Sequence, residues 1–271
     1  MMFLLSNLAV FQTGIAQKNT VLFVVSAADT LELNEGRKLR QTGVFLNEFY
    51  LAYKAVSEAG YNVKLASPDG VPATIDEESK KNSYWKKHLE IKNEALGFVA
   101  KSEAFNNPMT LEKAMENRDD FIGLVVPGGQ GLMVDLFYDS NIPRILKTFG
   151  EEGKAVGLIC HAPSLLLTLQ QNENPFLGFK VNAVSPIEEI FIERMLMGGK
   201  PKNRKIGKRL KSAGMNYKSR RPKANFAIKD RNLVTSQNPF SGEAFNRFYL
   251  EALEEVGEKI SLKLIGETDN L

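Results

Sequence analysis

The sequence predicts an α/β fold, a doubly wound and mostly parallel sheet with helices on both faces. Three observations carry that expectation. Continuous apolar runs rich in β-branched residues recur along the chain, helical stretches lie between them, and the runs stop at Gly-, Pro- or Cys-bearing turns. A chain of 271 residues, 43% hydrophobic and 25% charged, suits one large domain with a modest insertion and excludes wholesale disorder. No apolar run reaches the roughly 18 residues of a membrane-spanning helix.

Residues 1–16 (MMFLLSNLAVFQTGIA) have the apolar length of a signal-peptide core, with small residues at Gly14 and Ala16. No Lys or Arg precedes Lys18. The expectation is a cytoplasmic protein with residues 1–19 as an N-terminal extension; export to the periplasm or the exterior is the alternative. Val21 to Val25 reads as a strand buried on both faces. Residues 43–59 carry apolar positions at helical spacing, and Gly60 closes that helix. Asn62 to Ala66 is a second strand, stopped by Ser67-Pro68-Asp69-Gly70.

Residues 70–115 are polar and weakly periodic and read as an insertion with short helices. Residues 121–126 form a buried strand ending in Pro127-Gly128-Gly129-Gln130-Gly131. A helix at about 141–151 precedes a strand from Ala155 to Ile159, and another helix is expected to start near Pro163. Strand-like pieces lie near 179–184, 224–228 and 232–235, and a helix spans about 241–256. The expected organisation is a single domain over 20–258 and a tail over 259–271.

Three segments carry candidate chemistry. In Gly157-Leu158-Ile159-Cys160-His161-Ala162-Pro163, a cysteine lies between a buried strand and an expected helix, the setting of a nucleophile elbow at the carboxyl edge of a sheet. The helix N-terminus would favour the thiolate, so the thiol pKa is expected below the roughly 8.5 of a free cysteine. The glycine-rich turn at 127–131 lets backbone N–H groups approach a ligand and supply oxyanion donors together with the His161 N–H. Glu48 enters the first helix; facing the sheet edge, it would have a raised pKa and would move protons beside a thiolate. The bland alternatives are an inert buried cysteine, a tight turn and a solvated carboxylate. The turn at 127–131 lacks the Lys-Ser/Thr of a phosphate-binding loop, and Ser26-Ala27-Ala28-Asp29 lacks the glycines of a dinucleotide fingerprint.

Six landmarks follow one another: T-G-V-F-L-N-E at 42–48, A-S-P-D-G at 66–70, V-P-G-G-Q-G-L-M-V-D-L at 126–136, G-L-I-C-H-A-P at 157–163, S-P-I-E-E at 185–189 and T-S-Q-N-P-F-S at 235–241. In this order they resemble the ThiJ/PfpI superfamily, with its flavodoxin-like, class I glutamine amidotransferase-like fold. The nearer likeness is to its large branch of glutathione-independent glyoxalases III and heat-shock chaperone-type proteins. The resemblance implies Cys160 as nucleophile, His161 as its partner, Glu48 as the acid beside the sulfur, and Glu189 as the acid orienting His161, with Glu188 the fallback. It further implies Gly129 and His161 as oxyanion N–H donors, and a pocket bounded by Gly128, Gln130, Asn238 and Pro239.

The implied activity converts methylglyoxal-type 2-oxoaldehydes to 2-hydroxy acids through a cysteine hemithioacetal, with no external cofactor. Deglycase, amidase or peptidase action would use the same cysteine. A stress-response holdase binding unfolded clients is the alternative from another class, and a homodimer is implied. Gln130, Ala162 and Leu158 depart from the branch pattern. His88 is the only other histidine, so no metal is expected, and no histidine follows His161 as a glutamine amidotransferase would need.

The formal net charge of +3 hides an uneven distribution. Residues 200–223 hold eleven of the 35 Lys and Arg and no acid, so the rest of the chain sets 24 basic against 32 acidic residues, a net of −8. That segment reads as a solvated face or as a surface for an anionic partner.

Overall fold

The computed structural model describes residues 19–268; the candidate signal peptide at residues 1–16 lies outside them. Eleven strands are found among the described residues: β1 (Thr20–Val24), β2 (Thr30–Leu33), β3 (Lys38–Gln41), β4 (Asn62–Ser67), β5 (Met109–Thr110), β6 (Phe121–Val126), β7 (Ala155–Ile159), β8 (Lys180–Val181), β9 (Asn216–Tyr217), β10 (Ala227–Asp230) and β11 (Leu233–Ser236). Seven of them form the central sheet in the order β10-β11-β7-β6-β1-β4-β5. Every pairing is parallel except β10 with β11. The expected doubly wound sheet is therefore present. Its topological switch lies between β1 and β6, where the chain reverses its direction of growth and leaves a crevice at the carboxyl ends.

The helices are α1 (Leu46–Glu58), α2 (Leu89–Lys101), α3 (Glu103–Asn106), α4 (Leu111–Glu116), α5 (Asn141–Glu151), α6 (Pro186–Phe191), α7 (Ile206–Ser212) and α8 (Gly242–Thr268). Helices α1 and α8 pack together, and α8 lies against β6, β7, β10 and β11. Two glycines let it close in. A Cβ on Gly123 would meet Tyr249 Oη at 2.6 Å, and one on Gly157 would meet Phe245 Cζ at 2.7 Å. The stacked pair Phe245–Tyr249 (centroids 5.5 Å apart, 7° between planes) fills that space and anchors α8 by a hydrogen bond from Tyr249 Oη to Leu124 O. Among the described residues no helix is long and apolar enough to cross a membrane.

Four details differ from the sequence reading. Residues 30–41 form a hairpin that was not expected: its strands are short and polar, and the turn runs through Asn34, Glu35 and Gly36 at positive φ. The segment 70–115 contributes β5 to the central sheet, so it is woven into the domain. The helix expected near Pro163 is a 3-10 segment, Ala162–Thr168. Finally, α8 continues past residue 258 to Thr268.

Candidate active site

Cys160 follows β7 directly and has φ +59. An L-residue holds this left-handed conformation at a cost of order 1–2 kcal/mol, so the surrounding chain must impose it. Two backbone bonds do so: the Cys160 N–H donates to Ser236 O at 2.8 Å, and the Val184 N–H donates to Cys160 O at 2.9 Å. Leu158 and Ala162, the two departures beside the cysteine, are wholly buried, and the elbow forms with both in place.

Around the sulfur lie three buried polar groups. The His161 ring places Nδ1 3.3 Å from Cys160 Sγ. Its Nε2 lies 2.9 Å from the Gln130 side-chain nitrogen. The chain Cys160–His161–Gln130 thus takes the place expected for a cysteine–histidine–acid triad. Neither glutamate proposed for the third position reaches the ring. Glu189 Oε1 accepts from the Lys205 N–H and the Ile206 N–H, capping α7. Glu188 closes a capping box with Ser185 at the start of α6 and accepts from Gln237, Asn238 and the Lys223 N–H. Each acid is committed to fixing local backbone, so the assignment of either as the group orienting His161 is corrected to Gln130.

An amide differs from a carboxylate in that it can donate or accept. If Gln130 donates through its NH₂, the proton stays on Nδ1; if its carbonyl accepts, Nε2 carries the proton and Nδ1 is free to receive the thiol hydrogen. No negative charge supports an imidazolium from this side, and burial lowers the His161 pKa to about 4. Replacing Gln130 by Glu sets an anionic acceptor against Nε2 and is expected to raise the His161 midpoint by at least one unit. With only two histidines in the chain, an NMR titration of the ring protons reads this directly. Unchanged midpoints in Gln130→Glu would show that the two side chains do not interact.

Glu48, in the first turn of α1, is 5% exposed. Neither carboxyl oxygen has a partner in good hydrogen-bond geometry. Burial raises its pKa to about 8, against the lowering pull of Cys160 and the Gly128 backbone close by. Gly128 is what permits this approach: a Cβ there would collide with Glu48 Oε2 and sit 2.8 Å from Cys160 Cβ. Gly128 therefore lies behind the sulfur and is not part of the cavity wall, where it was expected.

The thiol pKa is raised well above its ordinary value, first by burial and then by the facing carboxyls of Glu48 and Glu188. This overturns the expected depression. The helix meant to stabilise the thiolate is a tight 3-10 turn, whose N-terminal dipole is too short to offset two carboxyl groups and the loss of water.

A cavity of about 250 Å³ opens over Cys160 and His161; Gln130, Asn238 and Pro239, three of the four residues expected to bound a pocket, line it, and so does Gly129. Gly129 has φ +115, and a Cβ on it would run into the Gly43 and Phe45 backbone. Among the described residues, no backbone acceptor takes the N–H of Gly129 or His161, and the His161 N–H lies against the Cys160 sulfur. The glycine loop is tied to the end of β1 by Asp135, which accepts from Ser26 Oγ and from the Ala27, Ala28 and Leu136 N–H groups. The sequence reading passed over Asp135, although it belongs to the V-P-G-G-Q-G-L-M-V-D-L landmark.

His88 precedes α2 and lines a different cavity from the one over His161. Among the described residues no group of three His, Cys, Asp or Glu side chains is placed to hold a metal ion. In the basic segment, Arg204 pairs with the buried Glu193. Lys202, Arg209, Lys211, Arg220 and Lys223 lie over aromatic rings at 5.3–5.8 Å. These contacts fix the stems of the cations without neutralising them.

Residues 40–173, which carry the glycine loop, the elbow and Glu48, match the DJ-1/PfpI family. This stretch of the chain belongs to that family. The chain is 24% identical over 217 residues to the glutathione-independent glyoxalase hsp3101 of Schizosaccharomyces pombe, covering 75% of this chain and 84% of that protein. It is 23% identical over 166 residues to the protein/nucleic acid deglycase HchA of Staphylococcus aureus, covering 59% of this chain and 54% of that protein. The match thus spans about half the length of the staphylococcal relative. Among solved structures, the glyoxalase III of Candida albicans superposes with a TM-score of 0.72 at 22% identity, covering 87% of this chain and 98% of that one. At that identity the likeness establishes the shared fold.

Proposed function

We propose that the protein is a cofactor-independent glyoxalase of the glyoxalase III type, converting 2-oxoaldehydes to 2-hydroxy acids at Cys160. The observation that carries this reading is the buried pair of Cys160 and Glu48, brought together at Gly128, with Cys160 lining the cavity. Proteins named as glyoxalases among the relatives support the reaction class. The pair keeps both protons at neutral pH and loses the first near pH 8. The remaining proton can sit on oxygen or on sulfur, so the singly ionised pair includes a thiolate beside a protonated Glu48.

Attack of sulfur on the aldehyde carbon C1 forms the C–S bond, and the charge that develops on O1 faces the N–H groups of Gly129 and His161. The proton held by Glu48 passes to O1, giving a neutral hemithioacetal and leaving a carboxylate. Glu48 then takes the C1 hydrogen and returns it to C2, while the O1 hydroxyl proton passes to O2. The result is a thioester of the 2-hydroxy acid. Water cleaves the C–S bond, the acyl group leaves as the acid and the sulfur regains a proton. Substrate plus one water equals product, and no redox partner is consumed. A pKa near 8 suits a group that must both take and return a proton at carbon. His161 stays neutral throughout and holds the sulfur in place through Nδ1.

Purified protein is expected to convert methylglyoxal to lactate without added thiol, and Cys160→Ser to lose about 10³-fold or more of that rate. Chiral chromatography of the lactate follows both. Equal slow consumption by the two proteins would sink the enzyme reading.

A further inference from the structure

The cavity over Cys160 is built for a larger and less polar substrate than methylglyoxal. Its volume of about 250 Å³ far exceeds what a single methyl group beside a dicarbonyl can fill. One wall is aromatic: Phe45 meets Tyr84 edge to face at 5.0 Å, and Tyr84 stacks on Phe240 at 5.9 Å. A second apolar stretch of the lining is aliphatic and aromatic, with Ile187, Phe191 and Leu196. Ile187 is 66% and Phe191 52% exposed, an arrangement that leaves apolar surface in water unless something covers it.

The acids and the arginine in this lining are already engaged. Arg40 pairs with Asp76 at 3.2 Å. Glu78 accepts from Tyr84 Oη and Lys81. Glu188 holds Ser185, Gln237 and Asn238. Lys223, over the Phe240 ring, is the lining's remaining cation; a sugar-like substrate would find few other free partners here, whereas an apolar group gains contact along both apolar stretches.

We infer that the substrates are 2-oxoaldehydes bearing an aryl or extended alkyl group, with the dicarbonyl at Cys160 and the apolar group against the Tyr84–Phe240 wall and the Ile187–Phe191 stretch. The inference rests on the glyoxalase reading and narrows it. Steady-state kinetics with methylglyoxal and phenylglyoxal, measured as lactate and mandelate formed, tests it. The expected kcat/KM for phenylglyoxal is at least tenfold higher, since even one buried methylene commonly discriminates by that much. Phe191→Ala is expected to lower the phenylglyoxal-to-methylglyoxal ratio severalfold through KM. That readout separates the pocket from the intrinsic reactivity of the two aldehydes, which no substitution alters. A ratio of one or less in the unaltered protein, or a ratio unmoved by Phe191→Ala, overturns the pocket assignment while leaving the chemistry at Cys160 intact. Failure of the parent reading looks different: neither aldehyde is converted, or Cys160→Ser converts both as fast as the unaltered protein.

Discussion

Replacing Glu48 by Gln is expected to lower kcat/KM for 2-oxoaldehydes by about 10²–10⁴-fold, the usual worth of a positioned proton carrier, while making Cys160 easier to ionise. The two effects run in opposite directions for a physical reason. The Glu48 carboxyl is one of the groups that push the thiol pKa up, after burial itself; a neutral amide removes that charge and cannot carry a proton between carbons. In the unaltered protein, alkylation by iodoacetamide is expected to show only a minor rise through the pair's first ionisation near pH 8, with its main rise above about pH 8.5, the ordinary value for a free thiol. In Glu48→Gln the midpoint moves to lower pH and turnover stays low. The unaltered enzyme should show kcat/KM rising with pH through a midpoint near 8, set by the first proton lost from the pair. A variant that keeps its turnover, or a profile flat between pH 6 and 9, would remove Glu48 from the chemistry.

The strands that build the site were readable because they are buried on both faces. β1, β6 and β7 are continuous apolar runs, and the polar turns that stop β6 and β7 are the glycine loop and the elbow. The β2–β3 hairpin was not read because its strands of four residues expose most of their side chains and give no long run.

At the site, residues adjacent in sequence were legible and long-range partners were not. Cys160 and His161 are neighbours, and Glu48 announces itself as a carboxylate inside an apolar helix face. Gln130 lies 31 positions from His161, and only the parallel pairing of β6 with β7 brings their loops together. The fate of Glu188 was open to a closer reading: Ser185-Pro186-Ile187-Glu188 is a capping-box pattern with proline at the first helical position, which commits Glu188 to the helix start. Glu189, one position on, turns away toward α7. The thiol pKa is not legible locally because its causes, burial and then the carboxyls of Glu48 and Glu188, come from segments distant in sequence.

The same carboxyl makes the fold weaker as pH rises. Glu48 has a pKa of about 8 in the folded chain against 4.5 unfolded, so between those values the folded state holds more protons and the slope of unfolding free energy with pH is negative. Its contribution is fully present below about pH 4.5 and is lost as pH climbs through 8, a difference of roughly 5 kcal/mol at the upper limit. His161 acts in the other direction: its pKa falls from 6.5 to about 4 on folding, so its contribution is present above 6.5 and lost as pH falls through 4. Urea denaturation at pH 7 and pH 9 therefore isolates the alkaline side, where His161 is neutral in both states. The unaltered protein is expected to lose stability between these two values, and Glu48→Gln to lose markedly less. Comparing slopes removes the constant cost of an unpaired buried amide in the variant. Asp76, Asp135 and Glu189, also raised by burial, remain in both proteins and cancel. Parallel curves for the two proteins would mean that Glu48 ionises as it does in water, and that the proton proposed to travel between C1 and C2 is carried by another group.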